Sequence, residues 1–367
     1  MAEPVKVLEM IASLNYGGSQ AMIVNLVKAM DRSRVHCDFI VDHPEYTGMN
    51  DIVEALGSKV YVLPSFKGYN FMEVRQAWDK LFREHPEYAV LHSHSRSYAS
   101  LYLPLAKKHG LKTIIHSHNT SNGSGIAAAV KGILQYPLRY QADVFIGCSQ
   151  KAGEWLFGDK VVKSDRFHVL NNAIATDRYV FNEKKREEYR KMFSIGKERV
   201  FIQVGRLDEQ KNHLFTLELF RNYLERDPES LLVIVGNGEK KPLIKEKIAE
   251  YGLEDKVIML EYRNDVNDLL QMADVFLMPS LFEGLSVAAI EAQASGLKCL
   301  CSDNCDRAVD VTGLCEFLPL DIPVWIERMS ASYAREDKKE DIVRAGFDVD
   351  HTAKWLEDLY LRLGNVE

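Results

Sequence analysis

Short apolar runs alternate with longer stretches whose apolar positions recur every three or four residues, almost throughout the chain. The runs at 5–12, 37–41, 59–63, 88–92, 112–117 and 142–148 predict strands, and 20–30, 71–84, 98–109 and 126–141 predict helices between them. Apolar content drops through the polar stretch 176–190, which predicts a domain boundary near Ala173. The alternation then resumes, with strands expected at 200–204, 231–235, 257–260, 275–278 and 298–302, and a last helix at 351–363. Repeated strand and helix units of this kind form parallel sheets covered by helices. The expected fold class is therefore α/β, with two Rossmann-like domains, 1–173 and 174–349.

At 367 residues the chain is long enough for two cores of ordinary size. Its 46% hydrophobic and 27% charged residues match a globular composition. A formal net charge of −7 and a pI near 5.9 argue against general nucleic-acid binding, which requires a basic face. No apolar run approaches the roughly 20 residues of a membrane span. The opening Met-Ala-Glu-Pro-Val-Lys lacks the basic then apolar order of a signal peptide, so a cytoplasmic location is expected. Cys299, Cys301, Cys305 and Cys315 lie near one another in sequence, but their spacing is irregular for a zinc knuckle. Cys299 and Cys301 fall in an apolar strand, where a thiol packs as a small hydrophobe.

The stretch Pro279-Ser-Leu-Phe-Glu-Gly-Leu-Ser-Val-Ala-Ala-Ile-Glu291 carries the most chemistry. It follows a predicted strand and holds two carboxylates, Glu283 and Glu291. Ser286 is placed as the N-cap of a helix ending at Gly296. Gly284 lets the backbone approach a ligand, and the first helical turn offers N–H groups to an anion such as a diphosphate. Glu291 is surrounded in sequence by Ala288, Ala289, Ala292 and Ala294, and a carboxylate on so apolar a helix needs a partner. The hydroxyl pair of a sugar or ribose would serve. Alternatively, Glu283 caps the helix start and Glu291 pairs with a neighbouring Lys or Arg.

The strand at 200–204 ends in Gly205-Arg-Leu-Asp-Glu-Gln-Lys-Asn212. Its Arg206 and Lys211 set two cations beside the mouth where Glu283 lies, one to fork onto phosphate oxygens and one as a point charge. Surface ion pairing is the alternative for either. Gly17 and Gly18 precede a helix without forming a dinucleotide fingerprint, and suit either a phosphate or hydroxyl contact or a plain tight turn. His92 and His94 close one predicted strand, and His116 and His118 the next. Four histidines there raise a metal site, yet the sequence shows no nearby carboxylate to complete a ligand set. In Asp348-Val-Asp350, Asp350 reads as the N-cap of the last helix. The amphipathic stretch 126–140, with Lys131 and Arg139, suits either a bilayer surface or ordinary packing.

The glutamate pair and the Gly205 to Asn212 loop together resemble the retaining GT-B glycosyltransferases of glycosyltransferase family four, in the branch that builds bacterial capsules and exopolysaccharides. The resemblance covers nearly the whole chain and is most specific from Gly205 to Leu300. It implies two Rossmann-like domains facing across a cleft, with the segment 350–367 crossing back to the first. It also implies metal-independent, retaining transfer from a nucleotide-diphosphate sugar, with a UDP-sugar expected, to a hydroxyl of a glycan or lipid-linked glycan. No cofactor and no metal are expected, and a lipid-linked acceptor would bring peripheral contact with the inner membrane.

By the same resemblance, Glu283 contacts the donor sugar, Glu291 holds the ribose, and Arg206 and Lys211 serve the diphosphate. His118 approaches the donor sugar near the bond to be made, while His94 and Asn119 fall on the acceptor side. Gly17, Gly18, Gly236, Gly284, Leu285 and Ser286 line the donor. Gly236-Asn-Gly-Glu239 has Asn where the family has Asp, and Glu261-Tyr-Arg-Asn264 lacks a common Gly, which leaves the base contact unassigned. A GT-B nucleotide-sugar epimerase and a non-catalytic nucleotide-sugar-binding partner subunit are the competing readings.

Overall fold

The computed structural model describes residues 3–15, 18–43, 48–118 and 126–364, so Gly17, Asn119 and the loop 120–125 lie outside it. The chain divides into one unit of Met1–Ile174 with Asp348–Glu367, and a second of Ala175–Phe347.

Among the described residues the first unit has seven strands: β1 (Val5–Met10), β2 (Val35–Val41), β3 (Val60–Val62), β4 (Tyr88–Ser93), β5 (Lys112–Ser117), β6 (Val144–Gly147) and β7 (Phe167–Val169). The second has six: β8 (Val200–Val204), β9 (Leu231–Val235), β10 (Val257–Leu260), β11 (Val275–Met278), β12 (Lys298–Ser302) and β13 (Cys315–Leu318). All pairings are parallel, in the orders β3-β2-β1-β4-β5-β6-β7 and β10-β9-β8-β11-β12-β13. Each order reverses direction once, between β1 and β4 and between β8 and β11. Loops on the carboxyl side of such a point diverge and leave room for a ligand.

Strands β8 to β12 coincide with their apolar runs because both faces of a parallel sheet are covered, which makes the runs continuous. Two strands, β7 and β13, were not anticipated. Both are short and lie at sheet edges, where a single neighbour supplies the pairing. Helix Phe71–Glu84 has the expected bounds and buries Val74, Trp78, Leu81 and Phe82. Trp78 stacks on Tyr102 at 4.0 Å between ring centroids.

Prolines account for two corrections. The expected helix at 98–109 is a 3-10 turn, Ala99–Leu101, followed by Leu103–Lys108 with Pro104 in its first turn. The one at 126–141 breaks into Ile126–Gln135 and Leu138–Gln141 at Pro137. Proline has no N–H to continue a helix and is tolerated only at a helix start. A third correction concerns the cap of the last helix, Val349–Gly364, which lies in the first unit. Asp348 caps it, with Oδ2 accepting from the His351 N–H at 3.1 Å, and Asp350 lies inside the first turn.

Candidate active site and family

In the second unit the loops leaving β8 and β11 are stitched together. The Leu281 N–H donates to the Gln210 carbonyl at 2.9 Å, Gln210 Nε2 to the Phe282 carbonyl at 3.1 Å, and Asn212 Nδ2 to the Pro279 carbonyl at 3.1 Å. Asn212 sits in the left-handed region at φ 56°, a conformation Asn tolerates better than most residues. From inside the fold, buried Gln203 donates to the Lys211 carbonyl at 2.7 Å and is itself held by Thr216 Oγ1 at 2.7 Å. The loop that carries Lys211 is thus fixed at several backbone atoms.

This stitching brings Lys211 Nζ into an ion pair with Glu283 Oε2, with both side chains mostly buried. The Glu283 carbonyl accepts from the Asp306 N–H at 2.8 Å, which fixes the glutamate from its other side. Arg206 is placed differently from the expectation. Its guanidinium is 75% exposed and pairs with Asp208 at 3.0 Å, so only Lys211 contacts Glu283 directly. A five-residue spacing across a turn does not decide side-chain direction, and Asp208 captures the nearer cation.

Ser286 occupies the N-cap position of helix Val287–Ala294 but makes no side-chain cap bond, which corrects its expected role. The first-turn N–H groups are therefore not capped by it and remain suited to an anion. A Cβ built at Gly284 would meet nothing within 4 Å, so open space lies next to Glu283, and Leu285 is half-buried beside it. Gly236 has a packing role. A Cβ there would fall 1.9 Å from the Gly205 carbonyl oxygen, so only glycine lets the β9 loop pass under the β8 loop.

Glu291 has a partner that the sequence reading did not find. The Tyr179 hydroxyl donates to its Oε1 at 2.6 Å. Burial pushes the Glu291 carboxyl up to about 7, against the opposing pull of the Tyr179 bond and the Arg178 charge. Tyr179 lies just past the domain boundary, 112 positions from Glu291, and no local pattern links them.

In the first unit, Gly18 begins the helix Gly18–Ala29 after β1. His94 Nδ1 lies 2.9 Å from His118 Nε2, so these two predicted residues meet. The carboxylate missing from the sequence reading is Glu9, 1% exposed, whose Oε2 lies 2.9 Å from His94 Nε2. It was invisible in sequence because strand pairing supplies it: β1 lies beside β4 with Glu9 opposite His92. Burial and the neighbouring charges of His94 and Arg96 hold His118 well below the usual histidine range.

A cavity of about 510 Å³ lined by Arg186, Arg190, Arg199 and Asp274 opens at the amino ends of β8 and β11. Its cations already serve the fold: Arg186 donates to the carbonyls of Gln271, Met272 and Ala273 and pairs with Asp274 at 2.6 Å. The glutamates and Lys211 lie at the opposite, carboxyl end.

Residues 16–178 match a family model described as Glycosyltransferase Family 4, and residues 185–312 match one described as Glycosyl transferases group 1. The Bacillus subtilis (strain 168) protein EpsF, named as a glycosyltransferase, is 30% identical over 368 residues, covering 97% of this chain and 96% of its own. The chain belongs to the group 1 glycosyltransferases. A second relative of this glycosyltransferase is the Escherichia coli UDP-Gal:alpha-D-GlcNAc-diphosphoundecaprenol alpha-1,3-galactosyltransferase, 28% identical over 225 residues, or 59% of this chain and 58% of that protein. Among solved structures, Anabaena HepE in complex with UDP superposes with a TM-score of 0.76 at 16% identity, covering 97% of this chain and 99% of that one. That likeness shows the shared GT-B fold of two parallel-sheet α/β domains.

Proposed function

We propose that this glycosyltransferase moves a sugar, with retention of anomeric configuration, from a UDP-sugar to a hydroxyl of a glycan or lipid-linked glycan during bacterial surface polysaccharide synthesis. The observation that carries the reading is the Lys211–Glu283 pair, held where the strand order reverses and beside a helix start that Ser286 leaves uncapped. A departing nucleoside diphosphate gains charge as the glycosidic bond lengthens, and fixed cations and N–H groups stabilise that charge. Lys211 and the first turn of Val287–Ala294 fill this role without a metal at the diphosphate, and Arg206 joins them on releasing Asp208. In the second unit Glu283 serves the donor sugar and Glu291 the ribose; in the first unit the resemblance assigns His118 to the sugar and His94 to the acceptor side. With no nucleophile assigned, attack on the same face, with the leaving phosphate taking the acceptor proton, accounts for retention. The name of the Escherichia coli relative, which carries a diphosphoundecaprenol-linked acceptor, supports a lipid-linked acceptor.

The test is a panel of UDP- and GDP-sugars with a polyprenyl-diphosphate-linked sugar as acceptor, in EDTA, with products read by NMR. An α-linked product from an α-linked donor is expected. An inverted product overturns retention, and activity lost in EDTA but restored by Mg²⁺ overturns metal independence. A changed sugar without transfer supports the epimerase, and no reaction supports the binding subunit.

Membrane contact through Ile126–Gln135 forms part of this proposal. Among the described residues no helix is long and apolar enough to cross a membrane. Val130, Ile133, Tyr136 and Tyr140 are nevertheless exposed along one stretch, with Lys131 beside them. Arg139 is better explained by packing, since it lies 4.4 Å over the Tyr136 ring and donates to the Leu156 carbonyl at 3.3 Å. Replacing Lys131 and Ile133 together by Glu is expected to reduce co-sedimentation with anionic vesicles at least tenfold, in keeping with lost apolar burial and lost attraction to anionic lipid. Unchanged co-sedimentation removes the membrane contact.

A further inference from the structure

Four imidazoles gather at the carboxyl ends of β4 and β5, and the transfer reading employs only two of them. His92 and His116 are each 0% exposed. Ligand nitrogens of His92, His94 and His116 all lie within 4.8 Å of one another. The ring centroids of His92 and His94 stand 4.1 Å apart, and those of His94 and His116 stand 5.1 Å apart.

The hydrogen bonds around the cluster determine which nitrogens carry lone pairs. Glu9, as a carboxylate, only accepts. The Tyr360 hydroxyl donates to Glu9 Oε1 at 2.6 Å, so it must accept from the His92 Nδ1–H, 2.5 Å away. His92 then keeps its lone pair on Nε2, which is buried and has no hydrogen-bond partner among the described residues. His94 donates from Nε2 to Glu9 at 2.9 Å, which leaves the lone pair on Nδ1, where it accepts from the His118 Nε2–H at 2.9 Å. Neither ring nitrogen of His116 has a partner among the described residues. Buried polar nitrogens without partners are rare in folded proteins and call for a ligand.

We propose that His92 Nε2, His94 Nδ1 and His116 form a binding site for a zinc-class divalent cation in the first unit. Imidazole suits zinc among the available divalent metals. A His-x-His pair on one strand with a third His on its neighbour supplies three nitrogens, and the fourth position is left to a water; the His118 Nε2–H, 2.9 Å from His94 Nδ1, turns aside as the metal takes that lone pair. The outer partners are those that tune metal-bound histidines: Tyr360 on His92 and the Glu9 carboxylate on His94, which also balances the added positive charge. Tetrahedral zinc, with bonds of about 2.0–2.1 Å, places its nitrogens roughly 3.4 Å apart, so binding draws the three rings inward. This revises the expectation of a chain without metal and leaves the diphosphate to Lys211.

The experiment strips the full chain with chelator, confirms by circular dichroism that it is folded, and titrates Zn²⁺ and, separately, Co²⁺. One equivalent is expected, with the visible absorption of tetrahedral cobalt and a rise in the unfolding midpoint. His116→Ala should abolish the rise, and Tyr360→Phe should weaken zinc affinity about 10–100-fold, as loss of an outer partner does. If His116→Ala fails to fold, the Tyr360→Phe shift and the cobalt spectrum still decide. Folded wild type that takes up no zinc at micromolar concentration overturns the proposal. So does a cobalt–thiolate charge-transfer band, which would assign binding to the buried cysteines. None of these readouts depends on turnover, so their failure is separate from any failure of the transfer reading.

Discussion

Replacing Lys211 by Met is expected to lower the turnover number by about 10²–10³-fold, the loss typical of deleting one preorganised group that stabilises developing charge. The ammonium is held in place before substrate arrives: the Lys211 carbonyl accepts from Gln203, the adjoining Asn212 ties the loop to the Pro279 carbonyl, and Nζ pairs with Glu283. It therefore need not reorganise as the diphosphate departs. Arg206→Met should act more on the donor Michaelis constant, because Arg206 is exposed and must first leave Asp208. Lys211→Met also strands the Glu283 carboxylate without its cation, which can impair a site through desolvation alone. The double variant Lys211→Met/Glu283→Gln separates the two causes. If it restores most of the turnover, or if Lys211→Met changes only the Michaelis constant, the electrostatic role is wrong.

Donor affinity should fall about tenfold for each pH unit below about 7, because in the proposed role ribose hydroxyls donate to Glu291 and need it as a carboxylate, while burial pushes its carboxyl up to about 7. Stability runs the opposite way. A carboxyl with a raised folded value binds its proton more tightly when folded, so it costs nothing below the ordinary glutamate range. The cost grows as pH rises from there and is complete above about 7. Donor binding at neutral pH should therefore release a proton, seen by titration calorimetry as a binding heat that depends on the buffer. Glu291→Gln is expected to flatten the pH dependence, abolish the buffer effect and raise the donor Michaelis constant with turnover largely kept. A fall in turnover at unchanged Michaelis constant would contradict the ribose assignment.

The family was legible because its signals are local. The strand-loop-helix segments carrying Lys211, Glu283 and Glu291 each read as a short pattern with a physical role. The Tyr179 contact to Glu291 and the Asp208 contact to Arg206 were not legible in the same way. One joins residues far apart in the chain, and the other turns on a rotamer choice among competing charges. Pro104 and Pro137 were visible in sequence, and the helix breaks they impose should have been anticipated.

From the sequence alone, continuous apolar runs determined five of the six strands of the second domain, and residue types at strand ends marked the proposed donor chemistry, because burial and backbone preference act over a few neighbouring positions. Only the tertiary structure decided that Glu9 and Tyr360 join the histidines. Parallel pairing sets Glu9 beside His92, and the last helix delivers Tyr360 to that carboxylate across the length of the chain. Such contacts depend on strand order and helix packing, which no local pattern encodes.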